Sequence, residues 1–306
     1  MHFRLHPLRF SFLAQDSLYF PPGKSANILR GAFGTTLRKI ACVPQCPGAR
    51  ACGERVSCPY ARMFEPTAIA AGPSGLSDWP RPFVFRATHL NGCTIPAGAS
   101  FAFDLNLFDM SRPAIAHLVQ AFAQLARDGL GPSRGLAQLV DVLHGGRRIY
   151  DGQSLLEGNP EPLALPLDSP TERVDRVLVR FLTPTELKIG QELAEQPEFG
   201  ILASRIRDRL STLHKLYDDG PLAIDFRGFG ERAARVRMTR CELANVDVTR
   251  RSSRTSQVHP IGGFVGEAEY QGDLAGFIPY LRAAEWTGVG RQTVWGKGEI
   301  RALAYP

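Results

Sequence analysis

One order of hydrophobic patterns constrains this chain most: strand, helix, strand, strand, helix, strand, read once before residue 150 and again after residue 172. Over residues 2–13 Phe3 and Leu5, then Leu8, Phe10 and Phe12, alternate as in a strand, with an interruption at Pro7. From Ser25 to Ile40 the apolar residues fall at 28, 29, 33, 37 and 40, a helical spacing with Ser25 in the N-cap position. Strands are expected over 82–88 and over 100–108, where aromatics and leucines alternate strictly. Ser111, Pro113 and Gly129 bracket a helix with Ile115, Leu118, Val119, Phe122 and Leu125 inward, and a strand follows through 136–143. After a connector rich in proline, glycine and acid at 151–171, the pattern restarts with a strand at 173–182. A helix at 199–216 would bury Leu202, Ile206, Leu210, Leu213 and Leu216. Strands near 222–228, 234–248 and 264–271, a helix at 273–284 and a strand through Ala302 complete the chain.

That order is the ferredoxin-like, or RRM-like, unit, so the expected class is α+β with two such units in tandem. The length of 306 residues also favours two cores over one. The first domain is expected over 1–150, with a Cys-rich insertion at 42–66; the second, over 172–306, has a longer hairpin and a glycine-rich loop. Gly129-Leu-Gly-Pro-Ser-Arg-Gly135 stands before the last strand of the first half, where Gly288 to Gly298 stands in the second, a faint trace of duplication.

The loop from Gly288 to Gly298 carries glycines at 288, 290, 296 and 298, interleaved with Arg291 and Lys297. A backbone without Cβ atoms can approach a ligand and turn N–H groups toward it, and the cations make phosphate the natural ligand. A helix C-cap would explain Gly288 alone. Only five of the 36 basic residues are lysine, so the net charge of +6 rests on arginine, whose planar fork suits phosphate and stacks on bases. A GC-rich genome would produce the same bias. The N-terminus has no secretory signal and no window reaches the roughly 20 apolar residues of a membrane span, so a soluble, cytoplasmic protein is expected, without a membrane partner.

Cys42, Cys46, Cys52 and Cys58 follow a C-x3-C-x5-C-x5-C pattern threaded with Pro44, Pro47, Gly48 and Gly53. Such a segment has little to pack, and a tetrahedral structural zinc would supply the missing stability. The spacing lacks a C-x2-C knuckle, which leaves an iron–sulfur cluster or two disulfides as alternatives.

Several segments together resemble the CRISPR-associated RAMP superfamily, and more narrowly its pre-crRNA-processing endoribonuclease branch. They are Leu29-Arg-Gly-Ala-Phe-Gly-Thr-Thr-Leu-Arg38, Cys58-Pro-Tyr-Ala-Arg-Met-Phe-Glu65 and Thr183-Pro-Thr-Glu-Leu-Lys188, then Arg250-Arg-Ser-Ser-Arg254, Gly262-Gly-Phe-Val-Gly266, Tyr270-Gln-Gly-Asp-Leu274 and Gly288 to Gly298. The resemblance implies a cut in CRISPR repeat RNA, without a catalytic cofactor, that yields mature guide RNA. The 2′-hydroxyl would attack the adjacent phosphate, leaving a 2′,3′-cyclic phosphate and a free 5′-hydroxyl. Such a step needs a base, an acid and fixed positive charge, and DNA cannot undergo it. The implied partners are the precursor repeat stem and other CRISPR effector subunits. A noncatalytic RAMP subunit that binds guide RNA is the alternative, and a metal-stabilised scaffold binding other partners is a third.

Family members often carry a catalytic histidine on or just after the first helix, and here no histidine stands between His6 and His89. Arg30, Gly34 and Arg38 recur every four residues and share one helix face, so Arg30 and Arg38 are the first candidates for stabilising the phosphorane, with the glycine letting RNA lie close. Arginine is a poor proton donor, and a site built on it would be slow. His259, in a polar loop before a strand, is the better proton carrier. Lys24, Arg250, Arg251, Arg254, Arg291 and Lys297, with Gly288, Gly290, Gly296 and Gly298, are the expected RNA contacts. Lys24 lies in a Gly-Lys-Ser triplet, but Leu18 occupies the place of the first glycine of an NTPase phosphate loop. His89, His144, His117 and His214 are read as ordinary histidines, and Arg205, Arg207 and Arg209 as a second basic cluster.

Overall fold

A computed structural model describes residues 1–305 other than 44, 70–78, 157, 159, 169–171 and 252–256, with the backbone alone at 250, 251, 258 and 259. The chain divides into two compact units, Leu5–Leu163 and Ala164–Pro306 with Met1–Arg4.

The first unit is built from β1 (His2–Ala14), α1 (Ser25–Ala41), a short α2 (Pro59–Phe64), β2 (Phe83–Arg86), β3 (Ser100–Leu107), α3 (Ile115–Asp128), β4 (Ala137–His144) and β5 (Arg147–Tyr150). Its sheet order, β2-β3-β1-β4-β5, puts the first and third strands of the β-α-β-β-α-β unit side by side at the centre, as in a ferredoxin-like fold. A further strand, β6 (Leu163–Pro166), pairs with β1. Register explains the core: Phe10 lies opposite Phe103 and Phe12 opposite Phe101, so four rings share one face. Phe122 of α3 meets Phe10 at 4.6 Å and Phe103 at 5.2 Å, and Phe33 of α1 stacks on Phe122 at 5.0 Å. Each such ring pair adds about 1 kcal/mol beyond its buried area.

Pro7 does not interrupt β1. Leu5 and His6 are both buried before the alternation resumes at Leu8, so the strand changes phase there and continues. Lys24 occupies the N-cap position of α1 in place of Ser25, whose N–H and hydroxyl both donate to Asn91 Oδ1, at 3.1 and 2.6 Å.

The second unit comprises β7 (Arg176–Thr185), α4 (Phe199–Tyr217), α5 (Phe226–Ala233), β8 (Arg237–Val246), the small hairpin β9 (Thr249–Arg251) and β10 (Val258–Pro260), β11 (Gly263–Gln271), α6 (Ile278–Thr287) and β12 (Ile300–Tyr305). Its order, β8-β11-β7-β12, repeats the first unit's arrangement. Val177, Val179 and Phe181 of β7 are buried, as are Leu202, Ile206, Leu210 and Leu213 of α4. Tyr217, one turn beyond Leu213, closes that helix face in place of Leu216.

Two sequence expectations give way here. Residues 222–228 form no strand: the Asp225 carboxylate accepts from the Gly228 N–H at 3.0 Å and starts α5, which turns Phe229 and Ala233 inward one helical turn apart. The helix expected at 273–284 begins later, with a 3-10 turn at 275–277 and then α6, which starts with Pro279 in its first turn and ends at Gly288.

Candidate nucleic-acid interface

The glycine loop joins α6 to β12, and most of its glycines answer to the protein's own backbone. Gly288, Gly290, Gly296 and Gly298 all have positive φ, at 70°, 80°, 89° and 71°, and Gln292 joins them at 59°. A Cβ on Gly290 would strike the Glu186 carbonyl oxygen, and one on Gly298 would strike that of Val289. The loop closes through Val289 N–H to Gly298 O at 2.9 Å, and it docks on the end of β7 through Gly298 N–H to Pro184 O at 3.1 Å. Just beyond β7, the Glu186 carbonyl accepts from the Arg291 N–H at 3.1 Å.

Lys297, expected at a phosphate, is 2% exposed. Its ammonium donates to Glu186 Oε2 at 2.6 Å and to Gln292 Oε1 at 3.1 Å. Burial lowers its pKa, partly offset by Glu186. Arg291 is the loop's outward cation, with a side chain 45% exposed and Glu186 Oε2 at 3.7 Å. Glu186 thus organises the loop. Sequence reasoning passed over it, although it lies inside the Thr183–Lys188 segment.

The Arg30, Gly34, Arg38 face of α1 is also different from expectation. Helix α2 lies on it: the Arg30 guanidinium stands over the Phe64 ring at 5.0 Å and that of Arg38 near the Tyr60 ring at 5.8 Å. A Cβ on Gly34 would come within 2.8 Å of Phe64, so the glycine makes room for that ring and not for an RNA backbone. Stacking fixes both guanidiniums by cation–π attraction, and Arg38 remains exposed. Helix α2 is itself tied down by Arg62, which donates to both Asp109 oxygens, at 2.9 and 2.6 Å.

In the β9–β10 hairpin Arg250 lies directly opposite His259, which places a candidate base and a candidate phosphate contact side by side along the backbone. Arg251 pairs with Val258; Arg254 lies outside the described residues. The arginines of α4 are engaged internally. Arg205 and Arg207 pair with Asp208 at 3.0 and 2.6 Å, and Arg209 donates to the Thr287 carbonyl at the end of α6 at 3.0 Å. Lys24 is half-buried at the start of α1.

His6 is not a surface histidine. It is buried against His144, ring nitrogens 3.0 Å apart. Burial, with the neighbouring His144, lowers its pKa to about 4, and burial lowers that of His144 as well.

The cysteine segment, residues 42–58, lies between α1 and α2. Cys42, Cys46, Cys52 and Cys58 line one small cavity with Arg38 and Arg55. Burial pushes the Cys42 thiol up to about 12, reinforced by the nearby thiols of Cys46 and Cys58. As the side chains stand, no three His, Cys, Asp or Glu among the described residues form a ready ligand set. No helix among the described residues is long and apolar enough to cross a membrane.

Comparison with known proteins follows the two units. Residues 3–161 match the family model AF_1859_N, an N-terminal domain, and residues 179–300 match the model for the CRISPR-associated endoribonuclease Cas6. An uncharacterized protein of Archaeoglobus fulgidus is 25% identical over 177 residues, spanning 56% of this chain and 60% of the relative. Thermus thermophilus Cas6 (TTHB231) superposes with a TM-score of 0.55 at 16% identity, covering 98% of each chain. A Cas6 (TTHB231) product complex gives a TM-score of 0.55 at 18% identity, covering 98% of this chain and 100% of that one. A partial Cas6-RT-Cas1–Cas2 complex gives a TM-score of 0.57 at 11% identity over 99% of this chain and 46% of that one. At these identities the superpositions establish the tandem ferredoxin-like fold. The family matches assign the chain: it belongs to the AF_1859_N family, whose N-terminal domain model matches residues 3–161, and its residues 179–300 match the model for the CRISPR-associated endoribonuclease Cas6.

Proposed function

We propose that the chain cuts CRISPR repeat RNA, by attack of the 2′-hydroxyl on the adjacent phosphate and without a catalytic metal, to release mature guide RNA. The observation that carries this reading is the Cas6 match over 179–300, a span that includes both the glycine loop and the β9–β10 hairpin. Arg30 and Arg38, held over Phe64 and Tyr60, would supply fixed positive charge to the phosphorane. His259, in the second unit, is a separate candidate for moving a proton, and Arg250, Arg251, Arg254 and Arg291 of that unit would hold the stem by its phosphates. Lys297 would act on RNA only indirectly, by shaping the loop that presents Arg291. Association with further CRISPR proteins belongs to the same proposal, in line with the Cas6-RT-Cas1–Cas2 neighbour.

One observation favours the noncatalytic, guide-binding alternative: α1 carries no histidine, and His6 is buried against His144. Single-turnover cleavage of repeat RNA by Arg30→Ala, Arg38→Ala and His259→Ala, beside binding by the same variants, separates the two. Rates that fall at least tenfold with binding retained support the nuclease. Binding without any cleavage by the unaltered chain supports the alternative.

A further inference from the structure

The segment from Cys42 to Cys58 is ordered without a core to order it. Val43 and Val56 are exposed at 68% and 50%, and among its described residues only Ala49 is a buried apolar side chain. Fixing each residue's backbone costs about 1–2 kcal/mol, and the turn hydrogen bonds here, such as Cys46 N–H to Val43 O and Cys58 N–H to Glu54 O, contribute little net stability against that.

The cysteines are placed as ligands of one site would be. Cys42 follows the last residue of α1 and Cys58 precedes the first residue of α2, so two thiols are anchored at helix ends, while Cys46 and Cys52 come from the turns between. All four border one small cavity of about 10 Å³, the space of a single water-sized atom. Four thiolates around a divalent ion carry a double negative charge, and Arg38 and Arg55 line the same cavity to offset it. The sulfurs do not yet converge on one point. A single rotamer step about Cα–Cβ swings a cysteine sulfur by about 3 Å, enough to gather them.

We propose that Cys42, Cys46, Cys52 and Cys58 bind one zinc ion, and that the ion clamps α2 across the arginine face of α1. With Arg62 on Asp109 it gives α2 a second anchor, holding Tyr60 and Phe64 under Arg38 and Arg30. The clamp's consequence for RNA rests on the reading above, whereas the metal site does not, and metal content tests it independently.

The full chain, purified reduced and without chelator from zinc-supplemented cells, is assayed by elemental analysis and by zinc release with a mercurial reagent. About one zinc per chain is expected, falling to near zero in Cys46→Ser and Cys52→Ser and unchanged in Cys93→Ser and Cys241→Ser. Replacement by cobalt should give the thiolate-to-cobalt charge-transfer bands of a tetrahedral sulfur site. The unaltered chain decides the matter even where a variant fails to fold. A metal-free chain with all cysteines titrating as thiols, four of them oxidised to two disulfides, or iron with acid-labile sulfide would each overturn the proposal.

Discussion

Lys297 Nζ lies 2.6 Å from Glu186 Oε2, making the one lysine of the glycine loop an internal tie between that loop and the residues just beyond β7. Breaking it leaves an uncompensated buried charge. Glu186→Gln and Lys297→Met should each lower unfolding stability in urea by about 3 kcal/mol, and the Glu186→Leu/Lys297→Met double variant by less than the sum. Arg291→Ala, at an outward side chain, should leave stability within about 0.5 kcal/mol and reduce the salt slope of RNA binding by about one.

A methyl group discriminates the glycines. At Gly298 it collides with the Val289 carbonyl in a left-handed backbone, so Gly298→Ala should open the loop and cost more than about 2 kcal/mol. At Gly31, inside α1 with nothing within 4 Å, the same change should be neutral or stabilise by up to about 1 kcal/mol. Thermal unfolding of the two variants checks both.

Gly34→Ala should push Phe64 away and cost about 1–3 kcal/mol, because the added methyl would stand 2.8 Å from the ring edge. A smaller partner should relieve it. In the Gly34→Ala/Phe64→Leu double variant the loss should be less than the sum of the single losses, a coupling read directly from a double-mutant cycle.

The His6–His144 pair sets an acid limit. With the pKa of His6 lowered to about 4, the folded chain resists a proton that the unfolded chain accepts near 6.5. Stability from this site is therefore complete above about pH 6.5 and is lost progressively as pH falls toward 4, by about 3 kcal/mol in all. Urea midpoints measured between pH 7 and 4 should drop, and in His6→Leu that drop should be shallower.

The fold was legible where periodicity was strong. Alternation of Phe101, Phe103, Leu105 and Leu107, and the helical stripe from Ile115 to Leu125, produced elements that the structure places as expected. Short stretches misled: Leu222 to Gly228 alternates like a strand, and one Asp225 cap outweighs that pattern. The site was legible only in part, because sequence shows which residues share a helix face and not what else covers it. Gly34 between two arginines suggests open space for a ligand, yet Phe64, thirty residues on, fills it. Lys297 among glycines suggests phosphate, yet its carboxylate partner Glu186 lies over a hundred residues away in sequence. The cysteines, local in sequence, were the easiest to group.

The most direct test of the account uses end-labelled repeat RNA from the chain's own locus, incubated with the full chain in EDTA, beside copies carrying one 2′-deoxy substitution at each nucleotide in turn. The account predicts a single cut, a 2′,3′-cyclic phosphate on the upstream fragment, and complete loss of cleavage for one substitution only, at the nucleotide preceding the cut. Tight binding with no cut, or a cut that survives every 2′-deoxy substitution, would contradict it.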